Sequence, residues 1–184
     1  MVISVVITAH DRKNFLLDAV NSVLNQTLPR DKYEIIVVKN FKDYDDYLRS
    51  KGVKSIYTEE KPTGNKIAIG IDESKGEVIC FLDDDDMFTK EKLNVVYEEF
   101  KDPNIVFYNN SVIYINEKGE KIGELSSERI EEISNKKNLL KFTRKLIFNL
   151  SSECVKKDAL DPAKLRYVGY SIDALAYLLA VDYG

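Results

Sequence analysis

Residues 78–88 read VICFLDDDDMF, in which an apolar run leads directly into four consecutive aspartates. The apolar part has the length and the composition of a strand that is buried on both faces of a sheet. In a parallel α/β sheet, ligands bind outside the carboxyl ends of the strands, which is where these aspartates would lie. Neighbouring carboxylates repel one another, so a bound cation would stabilise them. The stretch therefore predicts a central strand with a ligand site at its end.

Strand and helix patterns alternate on the N-terminal side of this stretch and continue just beyond it. Short β-branched runs are separated by segments that have apolar residues at helical spacing. This alternation predicts an α/β fold with a doubly wound, mostly parallel sheet of the Rossmann-like type. Strands are expected at residues 3–8, 33–38, 53–58 and 77–82, and helices at residues 14–26, 44–52, 64–76 and 89–100, the last with Thr89 as its N-cap.

The pattern changes after Pro103. Longer strand-like runs at residues 104–116 are followed by a turn at residues 118–119. A helix is expected over residues 126–147, and a second one over residues 170–184. The C-terminal half is therefore predicted to add further α and β elements to the sheet.

The composition limits the class of protein. A chain of 184 residues, 44% of them hydrophobic, can form one domain with an ordinary core. The formal net charge of −4 gives no electrostatic case for nucleic acid as a partner, because a protein that binds a duplex needs a basic face, although a small basic pocket stays open. Two cysteines far apart in sequence do not predict a disulfide framework, and they fit a cytoplasmic protein. No apolar run approaches the roughly 20 residues of a membrane-spanning helix, so no transmembrane segment is expected.

The acid run itself suggests a metal site. On an extended backbone the side chains of residues i and i+2 point the same way, so Asp83 and Asp85 can converge on one cation. Asp84 and Asp86 would then face elsewhere. Carboxylate oxygens suit Mg²⁺ or Mn²⁺, and phosphate oxygens or waters would fill the remaining positions. A solvated acidic loop without a ligand is the alternative that the pattern leaves open.

Three stretches taken together resemble the family 2 glycosyltransferases of the GT-A fold. They are ISVVITAHDRKNFLLDAVNSVLNQT at residues 3–27, YEIIVV at residues 33–38 and GEVICFLDDDDMF at residues 76–88. Their order and spacing match the family over about the first hundred residues. The resemblance implies a single GT-A domain over residues 1–184, either a compact member of the family or a shortened chain. Residues 1–102 would bind the nucleotide sugar, and residues 103–184 would form the acceptor side.

The resemblance also implies a reaction. The chain would transfer a hexosyl group, with inversion, from a UDP-, GDP- or dTDP-sugar to a hydroxyl of a glycan, a lipid-linked or a protein acceptor. Mg²⁺ or Mn²⁺ held by the Asp-x-Asp motif would bind the donor diphosphate. The basic and apolar residues 136–148 allow contact with the inner face of the membrane, although a core-packed amphipathic helix is the alternative.

Residue roles follow where this chain matches the family motifs. Asp85 first and Asp83 second would hold the metal, and Asp84 would face the donor ribose. The other residues of the implied donor site are Thr8, Ala9, His10, Arg12, Asn40 and Lys66.

The chain departs from the family at two places. After the second strand it reads KNF at residues 39–41, where members carry an acid that reads the base. Asn40 can still hydrogen-bond a base edge, and Lys39 would add positive charge. Ile67 and Ala68 stand where members often carry Arg and Asn, which leaves Lys66 as the cation of that helix, with a surface lysine as the alternative.

The resemblance points to a catalytic base near the start of the last helix. Inverting transfer needs one carboxylate to accept the proton of the acceptor hydroxyl, and a carboxylate bound to a cation is a poor base. Asp173 in YSIDALAYLLA takes the family position, and a purely helix-stabilising aspartate is the alternative. Weaker candidates for the base are Asp158 and Asp161, while Ser151 and Ser152 would line the acceptor side and Tyr167 and Tyr170 would stack on a sugar ring.

Two other functions fit part of the pattern. A catalytically inactive glycosyltransferase-like protein that binds a nucleotide or a glycan is favoured by the altered KNF sequence. A phosphoacceptor receiver domain also clusters acids at a sheet edge, but it places them after the first and third strands. Here the acids follow the fourth strand, so the receiver hypothesis is the weaker one.

Overall fold

The computed structural model describes residues 1–126 and 147–183. The strands are β1 (Ile3–Ala9), β2 (Tyr33–Lys39), β3 (Lys54–Tyr57), β4 (Val78–Asp83), β5 (Phe107–Asn109), β6 (Val112–Ile115), β7 (Lys121–Leu125) and β8 (Glu153–Lys156). The helices are α1 (Leu16–Leu24), α2 (Asp45–Ser50), α3 (Thr63–Asp72), α4 (Lys92–Glu99), α5 (Pro162–Leu165) and α6 (Ile172–Tyr183).

The main sheet is mixed and mostly parallel. In the described residues it has six strands in the order β3-β2-β1-β4-β8-β5. The first four are parallel to one another, and β8 runs antiparallel to both β4 and β5. The predicted α/β alternation is confirmed, and the strand that carries the aspartates lies near the middle of the sheet.

Each face of the sheet has its own apolar core. Alternate residues of β1 divide between the two, with Val5 and Ile7 on one side and Val6 on the other. Helices α1 and α4 cover the first face, and α3 and α6 cover the second. Both faces of β1 and β4 are buried, which explains why these strands read as continuous apolar runs.

Helix α4 begins later than predicted, and Thr89 does not cap it. The N-cap is Glu91, without a side-chain cap, because residues 84–91 form irregular turns after β4. Gln26 ties this segment to α1: its amide nitrogen donates to the carbonyl of Thr89 at 2.7 Å, and its amide oxygen accepts from the N–H of Leu93 at 2.8 Å. Gln26, near the end of the SVLNQT segment at residues 22–27, therefore supplies a hydrogen-bond acceptor for a free N–H group at the start of α4.

The second half contains a separate hairpin and the terminal helix. Strands β6 and β7 pair antiparallel, and Gly119 has a φ of 77° in the turn predicted there. The helix expected over residues 126–147 and most of the basic stretch at residues 136–148 lie outside the described residues. In the described part of the chain, no helix has the length and apolar character needed to cross a membrane.

The two cysteines are neighbours in space. Cys80 of β4 and Cys154 of β8 lie opposite each other across the antiparallel pair, and both are buried free thiols. The predicted burial of Cys80 as a small apolar residue is confirmed.

Candidate active site

A cleft with a volume of about 240 Å³ opens at the carboxyl ends of β1 and β4. The two strands are adjacent and parallel, and their register pairs Thr8 with Asp83. The loops that follow these strands therefore meet at one edge of the sheet, as expected for a ligand site in this class of fold. The cleft is lined by Thr8, Ala9, His10, Arg12, Thr63, Lys66, Asp83 and Asp84.

Most of the sequence-predicted donor-site residues are brought together here. Three of the ten predicted residues do not line the cleft: Asn40, Asp85 and Asp173. The one lining residue that was not predicted is Thr63, the first residue of α3. Its place after Pro62, where a strand-to-helix loop returns to the sheet edge, was the signal that could have identified it.

The aspartate run turns as soon as β4 ends. Asp83 is the last strand residue, and the N–H of Asp86 donates to the carbonyl of Asp83 at 3.2 Å. The expected extended backbone through the run is therefore wrong, because this turn removes the simple alternation of side chains. Asp84 is buried, whereas the side chain of Asp85 is 42% exposed.

Arg12 binds two of the four aspartates. Its Nη1 donates to Oδ2 of Asp85 at 2.6 Å, and its Nη2 donates to Oδ1 of Asp85 at 3.1 Å. Nη2 also forms a short hydrogen bond to Oδ1 of Asp84. The fork of the guanidinium thus joins the loop after β1 to the loop after β4.

The pKa values of Asp83 and Asp84 are raised. Burial first, and then the charges of its three acidic neighbours, raise the pKa of Asp83 to about 7, although Arg12 opposes the shift. Burial also raises the pKa of Asp84, and the hydrogen bond from Arg12 acts in the opposite direction. The second carboxylate oxygen of Asp84 is buried without a partner among the described residues. A cation added beside Asp83 would favour its ionised form.

The carboxylates of the cleft are compatible with a cation that takes most of its ligands from water and phosphate rather than from the protein. In the described residues no group of three or more His, Cys, Asp and Glu side chains is arranged to hold a metal ion. Two carboxylates with free coordination positions left for phosphate oxygens and waters are the usual protein share of a Mg²⁺ site. The orphaned oxygen of Asp84 and the raised pKa of Asp83 both fit such an ion.

Lys66 is an interior residue of the cleft wall. It is 1% exposed, and its ammonium donates to the carbonyls of Glu60 at 2.6 Å and Lys61 at 3.3 Å. Burial lowers its pKa, and nearby acids oppose the shift. The surface-lysine alternative is therefore wrong. A cation held rigidly at the start of α3 is suited to an anionic ligand.

Lys39 lies away from the cleft. Its ammonium is fully buried and donates to Oδ1 of Asp45 at 2.7 Å and to the carbonyl of Phe41. The positive charge expected from Lys39 at the site is thus neutralised by Asp45 at the start of α2.

Asn40 forms two hydrogen bonds with the turn after β1. Its Oδ1 accepts from the N–H of Asp11 at 2.9 Å, and its Nδ2 donates to Oδ1 of Asp11 at 2.6 Å. Asp11 has a φ of 58°, in the left-handed region, so this pair of bonds holds an unfavourable backbone conformation. The role of Asn40 in contacting a base stays a prediction.

His10 lines the cleft and has one polar atom without a partner in the described residues. Its Nε2 lies 3.4 Å from Oδ2 of Asp11, and its Nδ1 is buried and unpaired. A buried polar atom without a partner costs free energy, so this nitrogen is a local cost to the fold.

Asp173 is the second residue of α6, where its carboxylate accepts from the N–H of Ala174 at 2.8 Å. Its charge acts on Glu153, which begins β8. Sequence reasoning missed Glu153, which is 1% exposed and whose two carboxylate oxygens have no partner in the described chain. The weaker candidate Asp161 has a structural role, because it caps α5 through the N–H groups of Ala163 and Lys164.

Ser151 connects the second half of the chain to the acid strand. Its hydroxyl accepts from the N–H of Asp83 at 3.0 Å. Ser152 is buried, and its hydroxyl accepts from the amide of Asn109 at 2.8 Å. Ser151 thus helps to fix where β4 ends, whereas Ser152 ties β5 to the segment before β8.

Comparison with known proteins adds independent findings. The model of the family described as Glycosyl transferase family 2 matches residues 4–160. A glycosyltransferase of Rickettsia bellii (strain RML369-C) is 30% identical over 131 residues, which cover 68% of this chain and 19% of the relative. The chain thus spans about a fifth of the length of that relative.

Solved glycosyltransferase structures share the fold. Staphylococcus aureus TarS 1-349 in complex with UDP superposes with a TM-score of 0.75 at 18% identity, over 98% of this chain and 55% of that one. Mannosyltransferase PcManGT from Pyrobaculum calidifontis, in complex with GDP-Man and Mn²⁺, superposes with a TM-score of 0.65 at 15% identity. The superposition covers 96% of this chain and 51% of that one. The predicted GT-A type of α/β fold is confirmed.

Proposed function

Because this chain belongs to glycosyl transferase family 2, we propose that its cleft binds a nucleoside-diphosphate sugar and transfers the hexosyl group, with inversion, to an acceptor hydroxyl. The observation that carries the proposal is the pairing of fixed cations and acids in one cleft at the carboxyl ends of β1 and β4. Arg12 and Lys66 supply positive charge, and Asp83 and Asp84 supply negative charge. A diphosphate bound together with a divalent cation is a ligand whose charges complement both.

The donor nucleotide is proposed to lie against the turn after β1. Thr8, Ala9 and His10 line the cleft there. TarS was crystallised with UDP and PcManGT with GDP-Man, which supports a nucleotide as the ligand without choosing the base. UDP-, GDP- and dTDP-sugars are therefore the donors to test.

Asp83 and Asp85 are proposed to hold Mg²⁺ or Mn²⁺. When bound, the ion would screen the charge of the diphosphate. It would also stabilise the negative charge that the diphosphate gains as the leaving group. Asp83 carries a raised pKa that a cation would lower, and Asp85 is accessible from solvent. Arg12 bonds both Asp84 and Asp85, so an ion held by Asp85 would share or displace the contact of that carboxylate with Arg12.

Asp173 is proposed as the base. The in-line displacement requires a carboxylate to accept the proton of the acceptor hydroxyl while the donor diphosphate leaves. Asp173 is not part of the aspartate run, and only one of its oxygens is bonded to the helix N-terminus in the described structure. Residues 103–184, which include β8 and α6, would then form the acceptor side, and residues 1–102 the donor side of one domain.

The cytoplasm is the proposed location. Cys80 and Cys154 lie opposite each other as free thiols, and such pairs persist in a reducing compartment. Glycans, lipid-linked sugars and proteins are the acceptor classes to be distinguished.

Thermal-shift and calorimetric titrations with UDP, GDP and dTDP, each with and without Mn²⁺, test the donor part of the proposal. A ligand that binds only the folded state raises the melting temperature. We expect one of the three to bind and to require Mn²⁺ for full affinity. Binding of none of them would contradict the proposal, and binding without turnover of any donor sugar would support the inactive glycosyltransferase-like alternative.

A further inference from the structure

A second cleft, with a volume of about 390 Å³, opens beside the first. Thr63 lines both clefts, so they share a wall at the start of α3. We refer to the second one as the tyrosine cleft. It is lined by Lys61, Pro62, Thr63, Tyr167, Gly169 and Tyr170.

Two tyrosines of this cleft are exposed almost completely. Tyr167 is 89% exposed and Tyr170 is 91% exposed, higher fractions than those of the other exposed large hydrophobic side chains in the described part of the chain. A ring of this size buries 150–250 Å² when it packs, so leaving two of them in water forgoes a large stabilisation. Neighbouring exposed aromatic rings of this kind mark surfaces that bind a partner.

The backbone of the loop that carries these rings contacts the start of α3. The N–H of Gly64 donates to the carbonyl of Val168 at 3.1 Å. A Cβ atom on Gly64 would lie 2.0 Å from the carbonyl oxygen of Leu165 and 2.4 Å from that of Val168, so only glycine permits this approach. The loop is therefore packed directly against the start of α3.

A side-chain contact fixes the same loop next to Tyr167. Arg166 donates from Nη1 to Oδ1 of Asn65 at 2.9 Å and also forms an ion pair with Asp72 of the same helix. The exposed rings thus project from an anchored backbone. Binding to such a prearranged surface loses less conformational entropy than binding to a mobile loop.

We propose that the tyrosine cleft binds a sugar ring of the acceptor, so that the acceptor of this enzyme is a glycan or carries one. The inference rests on the proposed glycosyl transfer, which requires the acceptor hydroxyl to lie beside the donor. A pyranose has an apolar C–H face and a polar rim, which match the face and the hydroxyl of a tyrosine.

The composition of the lining favours a sugar over a lipid chain. The six lining residues include two tyrosines, a lysine and a threonine, all of which can hydrogen-bond, but none of Leu, Ile, Val, Met or Phe. An acyl chain would desolvate those polar groups without bonding them, which costs free energy. A sugar can pair with both the rings and the polar groups.

Oligosaccharide binding to ring-labelled protein tests the proposal. The probes are chitopentaose, cellopentaose and mannopentaose, with phosphatidylcholine vesicles as the lipid comparison. NMR signals from ¹³C-labelled tyrosine rings, assigned with the Y167F and Y170F variants, report contact at each ring. We expect at least one oligosaccharide to shift the signals of both Tyr167 and Tyr170. Its affinity should fall at least tenfold in the Y167A/Y170A double variant and remain within threefold of wild type in the two Phe variants.

The control variant is Tyr114→Ala on β6, which removes another exposed ring and should leave oligosaccharide affinity within twofold of wild type. If no oligosaccharide shifts the two rings, if only vesicles do, or if the double variant binds as the wild type does, the proposal is overturned. Nucleoside diphosphate titrations on the same samples separate the two clefts. If the wild type does not bind a nucleoside diphosphate, the donor site is refuted and the tyrosine cleft is not. The Y167A/Y170A double variant should bind the nucleotide with an affinity within twofold of wild type.

Discussion

The Nη1 atom of Arg12 lies 2.6 Å from Oδ2 of Asp85, a residue 73 positions later in the chain. This contact joins the turns that follow two adjacent parallel strands, and it places a fixed positive charge on the aspartate run. A divalent ion bound by Asp85 would have to compete with Arg12 for the same carboxylate oxygens. The arginine therefore sets how strongly the acids attract a metal when no nucleotide is bound.

Replacing Arg12 by glutamine should tighten the binding of Mn²⁺ alone, because it removes the competing cation while the four carboxylates remain. The Arg12 side chain is 60% exposed, so solvent screening keeps the expected gain to about threefold. Titration with Mn²⁺, followed by electron paramagnetic resonance in the absence of nucleotide, measures the affinity. Lys13→Gln, which removes a charge paired with Asp43 instead, is the control. Weaker Mn²⁺ binding in the Arg12 variant would show that the arginine does not compete for this site.

Replacing Asp173 by asparagine should lower the rate of sugar transfer by about 10²–10⁴-fold and leave nucleotide affinity unchanged, since a lost general base has costs of this size. Steady-state transfer assays and calorimetry on the same preparation measure the two quantities. The matched control is Asp161→Asn, because Asp161 caps α5 and asparagine is an equally good capping residue. Transfer by the Asp173 variant within tenfold of the wild type would remove this residue from the mechanism.

Glu153→Gln should stabilise the protein increasingly as the pH rises. Burial, and then the charges of Asp173 on α6 and Cys154 on its own strand, raise the pKa of Glu153 to about 10, although Lys92 on α4 opposes the shift. In the unfolded chain a glutamate has a pKa of about 4.3, so only the unfolded state loses this proton between about pH 5 and pH 10. As far as Glu153 determines it, the free energy of unfolding of the wild type is therefore highest at acid pH and declines as the pH rises.

Urea unfolding at pH 5 and pH 8.5 measures this dependence. We expect the free energy of unfolding of the Gln variant to exceed that of the wild type by about 1–3 kcal/mol at pH 8.5, and by much less at pH 5. Glu117→Gln, at an exposed position in the hairpin turn, should show no such trend. A difference that is the same at both pH values would mean that Glu153 is ionised in the folded protein.

Gly64→Ala should destabilise the fold by about 1–3 kcal/mol, the usual cost of overpacking, because the added methyl group would collide with two backbone carbonyls. Gly169→Ala, in the same region, has no atom within 4 Å of its new methyl group and should change stability by less than about 0.5 kcal/mol. Urea denaturation compares the two. Equal stability of both variants would show that the loop before α6 is not packed on α3.

The sequence predicted the placement of the cleft because strand ends follow from local patterns. The apolar runs ending at Thr8 and Leu82 fixed where the polar residues emerge, and the parallel register brings Thr8 beside Asp83. The order of strands and helices could be predicted from local patterns alone. The only further premise was that alternating strand and helix patterns form a parallel sheet.

The details that the sequence did not predict depend on contacts between distant residues. The turn at Asp83–Asp86 and the burial of Lys39 against Asp45 are set by backbone geometry and by packing that no local pattern encodes. The burial of Glu153 was missed for a related reason, because a single glutamate in a short strand normally indicates a solvent-exposed side chain.

The metal site at Asp83 and Asp85 is the claim on which the proposed chemistry depends, and anomalous diffraction measures it directly. Crystals soaked with Mn²⁺ and the nucleoside diphosphate that binds best would be measured near the manganese absorption edge. We predict an anomalous peak bonded to a carboxylate oxygen of each residue and to the diphosphate, and its absence from crystals of the Asp83→Asn/Asp85→Asn variant. A nucleotide bound in the cleft with no manganese beside these two carboxylates would contradict the account.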